Sequence, residues 1–281
     1  MRIFVRISIL LAAANTAVVA QCSDAGVCTI GSKHTSLSHQ VGVSYVFGAS
    51  GKTDDLTFHS VVMEGTVQLF EDARVVVSLP WTRVSGPLGN TSGIGDVTVL
   101  LNQRLWQDHA SLLSVQIGGK LATGEDNAGS LPQSYQAGLG TNDLLLGVAY
   151  EFDGWTAAVG YQLSRARSEN ALTRLKRGDD LLLRLSYGGM LGDVNASAQM
   201  LAIKRLQESS VLNSAIPGGD AFVTVPESDQ FQVNLLGQAS LPLFENSSLQ
   251  VLAAVPLLNR DVNVDGLKRT LTLSAGLWFT L

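Results

Sequence analysis

The sequence predicts an all-β protein, a transmembrane antiparallel up-and-down β-barrel of about 12 strands. Of its 281 residues, 46% are hydrophobic and only 15% are charged, yet after the first twenty no apolar run is long enough for a membrane helix. Instead, apolar residues recur at every second position over long segments that end in turns and loops. Because only helices and closed barrels satisfy every backbone hydrogen bond in lipid, a barrel is the spanning structure that remains.

Residues 1–20 form a predicted signal peptide and are set aside from the fold. Arg2 and Arg6 give a basic start, residues 7–14 are apolar, and Val18 to Ala20 provide a small-residue cleavage site. Their removal leaves 17 basic against 24 acidic side chains, a formal charge of −7. Nucleic-acid-binding proteins present basic patches, so this acidity argues against a nucleic-acid partner.

Residues 21–36 are predicted to form a periplasmic N-terminal segment that precedes the barrel of residues 37–281. The segment holds the two cysteines of the chain, Cys22 and Cys28. In an exported protein such a pair most simply forms a disulfide, here one that closes a short loop. Two cysteines and the neighbouring His34 are too few ligands for a structural metal site, and no metal is expected.

The barrel strands are read from a period of two. In the last segment Leu271 and Leu273 lie on one face, and Thr272 and Ser274 lie on the other. No helical period fits this pattern. The predicted strands are residues 37–48, 57–70, 73–84, 94–106, 110–122, 142–152, 155–166, 179–191, 194–206, 229–242, 248–258 and 269–281.

The connections between these strands alternate in length, as they do in outer-membrane barrels. The short connections are residues 71–72, 107–109, 153–154, 192–193 and 244–247, and the long ones are residues 85–93, 123–141, 167–178, 207–228 and 259–268. An even number of strands places both termini in the periplasm and the long loops outside the cell. Outer-membrane lipid and the barrel assembly machinery are therefore the expected partners.

The competing folds are a periplasmic barrel with an apolar interior and a soluble β-sandwich. The strands of a sandwich are commonly about five to six residues long, half the length of these segments. The polar face here is mainly Ser, Thr, Gln, Asn and Gly, which suits a wetted lumen better than a soluble exterior. Aromatic residues also lie near the strand ends, where interfacial girdles belong: Tyr45, Phe47, Phe70, Trp81, Trp106, Phe152, Trp155, Phe244 and Phe279.

The alternation predicts which charged side chains face the lumen. They are Glu64, Arg74, Asp96, Arg104, Lys120, Asp143, Glu151, Asp180, Arg184 and Arg205. Five acids facing five bases suit uncharged or weakly polar solutes, or ion pairs that brace the wall, better than strong ion selectivity. The alternative interpretation is that these charges only keep a small lumen solvated or plugged.

No catalytic residues and no cofactor are predicted. A hydrolase would need a histidine within hydrogen-bond reach of its nucleophile. His34 precedes the first strand, His59 and Ser60 point to opposite faces of one strand, and His109 lies in a short turn. An outer-membrane hydrolase is therefore the least favoured function.

Three sequence runs resemble a known family. They are GIGDVTVLLNQRLW (93–106), GGKLATGED (118–126) and GLGTNDLLLGVAYEF (138–152). These runs are similar to the outer-membrane transporter family named for the meta-pathway of phenol degradation. Ala122 departs from the Pro-Thr-Gly that is common in the second run of that family. The resemblance implies a barrel that passes small, often aromatic, compounds, and it carries over no functional residues.

The expected function is passive passage of small molecules across the bacterial outer membrane, hydrophobic or aromatic ones among them. A structural or surface-interaction barrel without transport is the alternative. The loop at 123–141 has no periodicity of its own, and loops of that length are usually functional or disordered. A constriction formed by this loop folding inward is a further hypothesis.

Overall fold

A computed structural model describes residues 29–31, 39–216 and 221–281, and it contains fifteen β-strands. The first eight are β1 (Gln40–Ala49), β2 (Thr57–Phe70), β3 (Ala73–Gly86), β4 (Gly89–Ile94), β5 (Val97–Gln107), β6 (Ser111–Leu121), β7 (Asn142–Phe152) and β8 (Trp155–Arg165). The others are β9 (Asp180–Leu191), β10 (Val194–Arg205), β11 (Ser210–Leu212), β12 (Phe222–Thr224), β13 (Phe231–Phe244), β14 (Ser247–Leu258) and β15 (Leu271–Thr280). The predicted signal peptide, Cys22 and Cys28 lie outside the described residues.

Twelve of these strands form a closed antiparallel barrel. Each barrel strand pairs with its neighbour in the chain, and β1 closes the ring by pairing with both β2 and β15. The β1–β15 register runs without a break from Gln40 opposite Thr280 to Ala49 opposite Leu271. Closure leaves no barrel strand with an unpaired edge, so the predicted up-and-down barrel is confirmed and a β-sandwich is excluded.

The remaining three strands lie within two of the predicted loops. Residues 85–93 were expected to be irregular, but β3 continues to Gly86 and β4 pairs back onto it as a hairpin. The long loop after β10 likewise contains the small β11–β12 hairpin. Period-two alternation is too short in both places to be read as a strand from sequence.

The two ends of the barrel differ. We call the end with the tight turns at 71–72, 108–110, 153–154, 192–193 and 245–246 the turn rim. The opposite end, the loop rim, carries the β3–β4 hairpin and the connections at 50–56, 122–141, 166–179, 206–230 and 259–270. The longest of these contain their own hairpin or short 3-10 turns, namely Ala128–Ser130 and Gln133–Tyr135.

The outer face of the barrel is an apolar belt. Val43, Met63, Val159 and Leu183 each expose about half of their surface, which a soluble fold would bury. Most of the predicted girdle aromatics are also exposed, among them Trp155 at the start of β8 at 49%. No helix in the described ranges has the length and apolarity needed to cross a membrane.

Candidate functional site

The structure places the ten predicted lumen charges at three levels. Five lie at loop-rim ends of strands: Asp96, Lys120, Asp143, Asp180 and Arg205. Glu64 and Arg184 lie nearer the middle, and Arg74, Arg104 and Glu151 lie at turn-rim ends. All but Arg104 and Glu151 are buried.

Arg104 braces the turn rim rather than the middle of the lumen. Its Nε lies 2.6 Å from Oδ1 of Asp72, and its Nη2 donates to the carbonyl of Glu71 at 2.8 Å. Both partners belong to the neighbouring turn at 71–72. The side chain is partly exposed, with 21% of its surface accessible. Arg104 therefore holds two neighbouring hairpins together at this rim.

Lys120 sits at the centre of the first half of a charge network at the loop rim. Its Nζ lies 3.1 Å from Oδ2 of Asp96 and 3.2 Å from Oδ2 of Asp143. The backbone carbonyl and the hydroxyl of Thr141 also accept from Nζ, each at 3.3 Å. The lysine is fully buried. Strands β5, β6 and β7 are thus joined by one compensated cation.

The second half of the network centres on Asp265, in the loop between β14 and β15. Its Oδ2 lies 3.0 Å from Arg177 and 2.8 Å from Arg205. Both arginines also bind Asp180, at 2.6 and 3.1 Å, and Arg177 lies 3.7 Å from Asp143. The carboxylate of Asp143 therefore connects the two halves. With Arg260 at 3.9 Å from Asp265, four acids face four bases.

Burial and charge act in opposite directions on Asp265. Burial alone would raise the pKa of this carboxyl, but the guanidinium groups of Arg205, Arg177 and Arg260 outweigh it. They hold the pKa of Asp265 well below its ordinary range. The group is therefore ionised at neutral pH.

The loop at 122–141 lies across the mouth at the loop rim. Tyr135 is buried in an apolar cluster with Leu56, Phe58 and Val84, and its hydroxyl accepts from the backbone N–H of Leu88 at 3.0 Å. On the other side, Gly266 approaches this loop so closely that an added Cβ would lie 2.6 Å from the Ser134 carbonyl oxygen. The loops that carry Ser134 and Gly266 leave the barrel on opposite sides of the ring of twelve strands. The loop spans the opening.

Neighbouring loops fasten this crossing loop. Asn170 donates to the carbonyls of Asp126 and Leu131 at 2.8 and 2.9 Å. The backbone N–H of Glu169 donates to Oδ2 of Asp126 at 2.8 Å. Asn170 is fully buried, so its two hydrogen bonds are costly to leave unmade. The loops at 122–141 and 166–179 therefore form one cap.

An apolar layer lies inside the barrel beneath this cap. Buried leucines and isoleucines from opposite walls meet in one cluster, which comprises Ile30, Leu100, Leu145, Leu182, Leu201, Ile203, Leu236, Leu252 and Ala254. Leu100 on β5 and Leu236 on β13 come from opposite sides of the ring. The cluster therefore fills the lumen at this level, where the sequence pattern predicted a polar lining.

Ile30 reaches this layer from the segment that precedes the barrel. It lies against Gly147 and Gly160, which pair with each other on β7 and β8. An added Cβ would lie 2.3 Å from Ile30 at Gly147 and 2.9 Å from Ile30 at Gly160. The next residue, Gly31, donates its backbone N–H to Oε1 of Gln116 at 2.7 Å. We call this contact the Ile30 seat. The rest of the segment 21–36, apart from residues 29–31, lies outside the described residues.

The aromatic side chain of Trp278 lies in the lumen towards the turn rim. Trp278 on β15 is buried, and its indole lies against Gly42 of β1, where an added Cβ would be 2.5 Å from Cδ2. The ring lines a small cavity of mixed polarity together with Glu64, Gln238, Gln250 and Leu252. The lumen thus has a charged level, an apolar level and a mixed level in that order.

The described histidines form no catalytic arrangement. Nδ1 of His59 makes a 2.6 Å hydrogen bond with the hydroxyl of Tyr45 on the outer face of the barrel. His39 accepts from the backbone N–H of Gln68, and His109 lies in the turn at 108–110. Within residues 29–31, 39–216 and 221–281, no three His, Cys, Asp or Glu side chains are placed to hold a metal ion. His34 lies outside the described residues.

Sequence reasoning missed two sets of lumen residues. Arg177, Arg260 and Asp265 lie in loops, where no period tells which way a side chain points. The inner leucines lie within longer runs, such as Leu144–Leu146 and Leu181–Leu183, in which both faces are apolar. Such a run could have revealed the inner leucines, because an apolar residue at a lumen position interrupts an otherwise polar face.

The fold is similar to solved outer-membrane barrels. The crystal structure of an outer membrane channel from Pseudomonas putida F1 superposes with a TM-score of 0.67 at 16% identity, over 89% of this chain and 97% of that one. The NanC porin superposes with a TM-score of 0.51 at 10% identity, over 86% of this chain and all of that one. No family model and no curated protein matches the sequence.

Proposed function

We propose that this protein is a bacterial outer-membrane channel or transporter for the passive passage of small molecules, hydrophobic or aromatic ones among them. The observation that carries the proposal is the apolar layer inside a closed barrel. A barrel wall needs apolar side chains only on its lipid face, so leucines on both faces of β7 and β9 point to contact with weakly polar solutes as well.

The comparisons support the channel part of the proposal, since both solved barrels are named a channel or a porin. Passage of aromatic compounds rests on the resemblance of residues 93–152 to the meta-pathway transporter family. The short turns and both termini face the periplasm in this proposal, as in bacterial outer-membrane barrels generally. Lipid, the assembly machinery and the passing solute are then the partners.

In the proposed pathway the predicted lumen charges have unequal roles. Lys120, Asp96 and Arg205 belong to the compensated network, so they brace the cap. Glu64 and Arg184 lie nearer the middle, and we expect them to line the solute pathway once the lumen opens. Arg74 and Glu151 line the exit at the turn rim. Arg104 holds the rim itself.

The conformation described is closed. Buried inner side chains occur at every level from Lys120 to Arg74, Ile30 occupies the lumen between them, and the cap lies across the mouth. Passage would require the cap, the Ile30 seat or both to move, on the microsecond-to-millisecond scale usual for loops and gates.

Conductance of the refolded protein in planar bilayers tests the proposal, together with solute uptake in a deletion strain. We expect small, brief conductance steps and a specific defect in the uptake of a weakly polar compound. Absence of both would favour a structural or surface-interaction barrel without transport. Heat-dependent migration in a gel, typical of membrane barrels, verifies beforehand that the refolded protein is folded.

A further inference from the structure

Glu64 is a buried carboxylate whose charge nothing in the described chain compensates. It lies in the middle of β2 on the inner face and is 5% exposed. Neither Oε1 nor Oε2 has a hydrogen-bond partner among the described residues. No ion pair to Glu64 occurs there either, although the acids of the loop-rim network are each paired.

The carboxylate lines a small cavity whose polar side chains share the lining with Val251 and Leu252. The cavity has a volume of about 20 Å³, enough for one species of the size of a water molecule. Hydroxyls come from Ser44 and Ser274, amides from Gln238 and Gln250, and one wall is Trp278. These residues belong to β1, β13, β14 and β15, so the cavity lies across the lumen from the Ile30 seat.

The surrounding polar groups leave room for a cation. Two hydrogen bonds lead from Arg184 to the cavity. Arg184 donates to Oε1 of Gln199 at 3.0 Å, and Nε2 of Gln199 donates to Oε1 of Gln238 at 3.1 Å. Each amide oxygen has two lone pairs, so Gln238 keeps one for a ligand. The guanidinium of Arg184 is directed to Gln199, two side chains away from the cavity.

The chemistry of the cavity favours a single positive charge. An isolated carboxylate in a water-poor interior costs several kcal/mol unless it is neutralised or paired. Calcium takes six to eight oxygen ligands, often several carboxylates, and one carboxylate falls short of that. An aromatic face also attracts monovalent cations. We propose that Glu64 and this cavity bind a desolvated monovalent cation of the size of potassium or ammonium.

The site is independent of transport, because a cation could bind there whether or not a solute passes. Thallium(I), which resembles potassium and scatters anomalously, is a direct probe. Crystals of the full-length protein soaked in thallium acetate should show an anomalous peak beside the Glu64 carboxylate. Glu64→Gln, which keeps the shape and removes the charge, should lose that peak. Glu151→Gln removes another lumen carboxylate and should keep it.

An anomalous peak that persists in Glu64→Gln, or no peak at all in the unaltered protein, would overturn the proposal. Unfolding temperature gives a second readout that needs no crystals. A ligand bound only by the folded state raises that temperature with its concentration. Potassium chloride should therefore stabilise the unaltered protein relative to N-methylglucamine chloride at equal ionic strength, and Glu64→Gln should not respond.

One result of the stability experiment would also contradict the proposal. Equal unfolding temperatures for the unaltered protein in both salts would mean that the Glu64 carboxylate binds no potassium.

Discussion

Both halves of the lumen hold buried carboxyl groups, but in the described part of the chain only those at the loop rim are paired with lysine or arginine side chains. At the loop rim, Asp96, Asp143, Asp180 and Asp265 are buried, and each lies within 3.2 Å of a lysine or arginine nitrogen. Towards the turn rim, Glu64 is buried to the same degree and has no partner among the described residues. Burial alone therefore does not tell a structural carboxylate from one available to a ligand.

The two halves therefore suit different roles. A compensated network resists the loss of any member, because the partner left behind is a buried charge. It therefore suits a cap that must keep its shape. An uncompensated group is costly in the same surroundings and is retained where a ligand or solute meets it.

Removing the cation of the loop-rim network should be strongly destabilising. Lys120→Met leaves Asp96 and Asp143 without the lysine between them, and breaking a buried pair costs about 3–5 kcal/mol. Denaturant unfolding in lipid vesicles, followed by tryptophan fluorescence, measures the loss. Lys204→Met is the matched control, since the Lys204–Asp229 pair is about 40% exposed and should contribute at most ~1 kcal/mol. Similar losses for the two variants would argue against a structural role for the network.

Adding a methyl group at the Ile30 seat should displace Ile30 and open the lumen. In Gly147→Ala the new methyl group would lie 2.3 Å from Cγ2 of Ile30, so the isoleucine has to move. We expect a severalfold rise in the efflux of a small neutral solute from proteoliposomes. Gly237→Ala is the control, because an added Cβ there meets no atom within 4 Å. A folded Gly147→Ala barrel with unchanged efflux would show that Ile30 does not obstruct the pathway.

The loop-rim network should make stability insensitive to mild acid. The depressed pKa of Asp265 means that its ionised form stabilises the fold above the ordinary aspartate pKa of about 4. That contribution is lost only as the pH falls below this value towards the lower pKa of the folded state. Unfolding free energy should be nearly constant from about pH 7 to about pH 5 and should decline below about pH 4. A shallower acid decline is expected for Asp265→Asn, and an identical decline would remove Asp265 as the cause.

Much of the fold can be predicted from the sequence because apolar and polar residues alternate along each strand of a membrane barrel. The segments 57–70 and 142–152 match β2 and β7 to the residue, and the other predicted strands differ by a few residues at their ends. The same parity finds Lys120 and Glu64 on the inner face. It holds wherever one face meets lipid and the other does not.

The filling of the lumen could not be predicted in the same way. Ile30 lies in a segment without periodicity, and its contact with Gly147 depends on how the chain returns into the barrel. Two partners of Asp265, Arg177 and Arg205, come from a loop and a strand that lie far from it in sequence. Parity also cannot tell that Glu64 lacks the ion pair that Lys120 provides to its neighbours.

The most direct test of the closed-channel account is solute efflux from liposomes that contain the barrel with its crossing loop shortened. Deletion of residues 126–136 removes Tyr135 from its cluster and the span that covers the mouth. The efflux rate of a small uncharged aromatic compound should rise well above that of the unaltered barrel, and further when Gly147→Ala is added. Rates that stay at the level of protein-free liposomes in both variants, with gel migration showing folded barrels, would contradict the account.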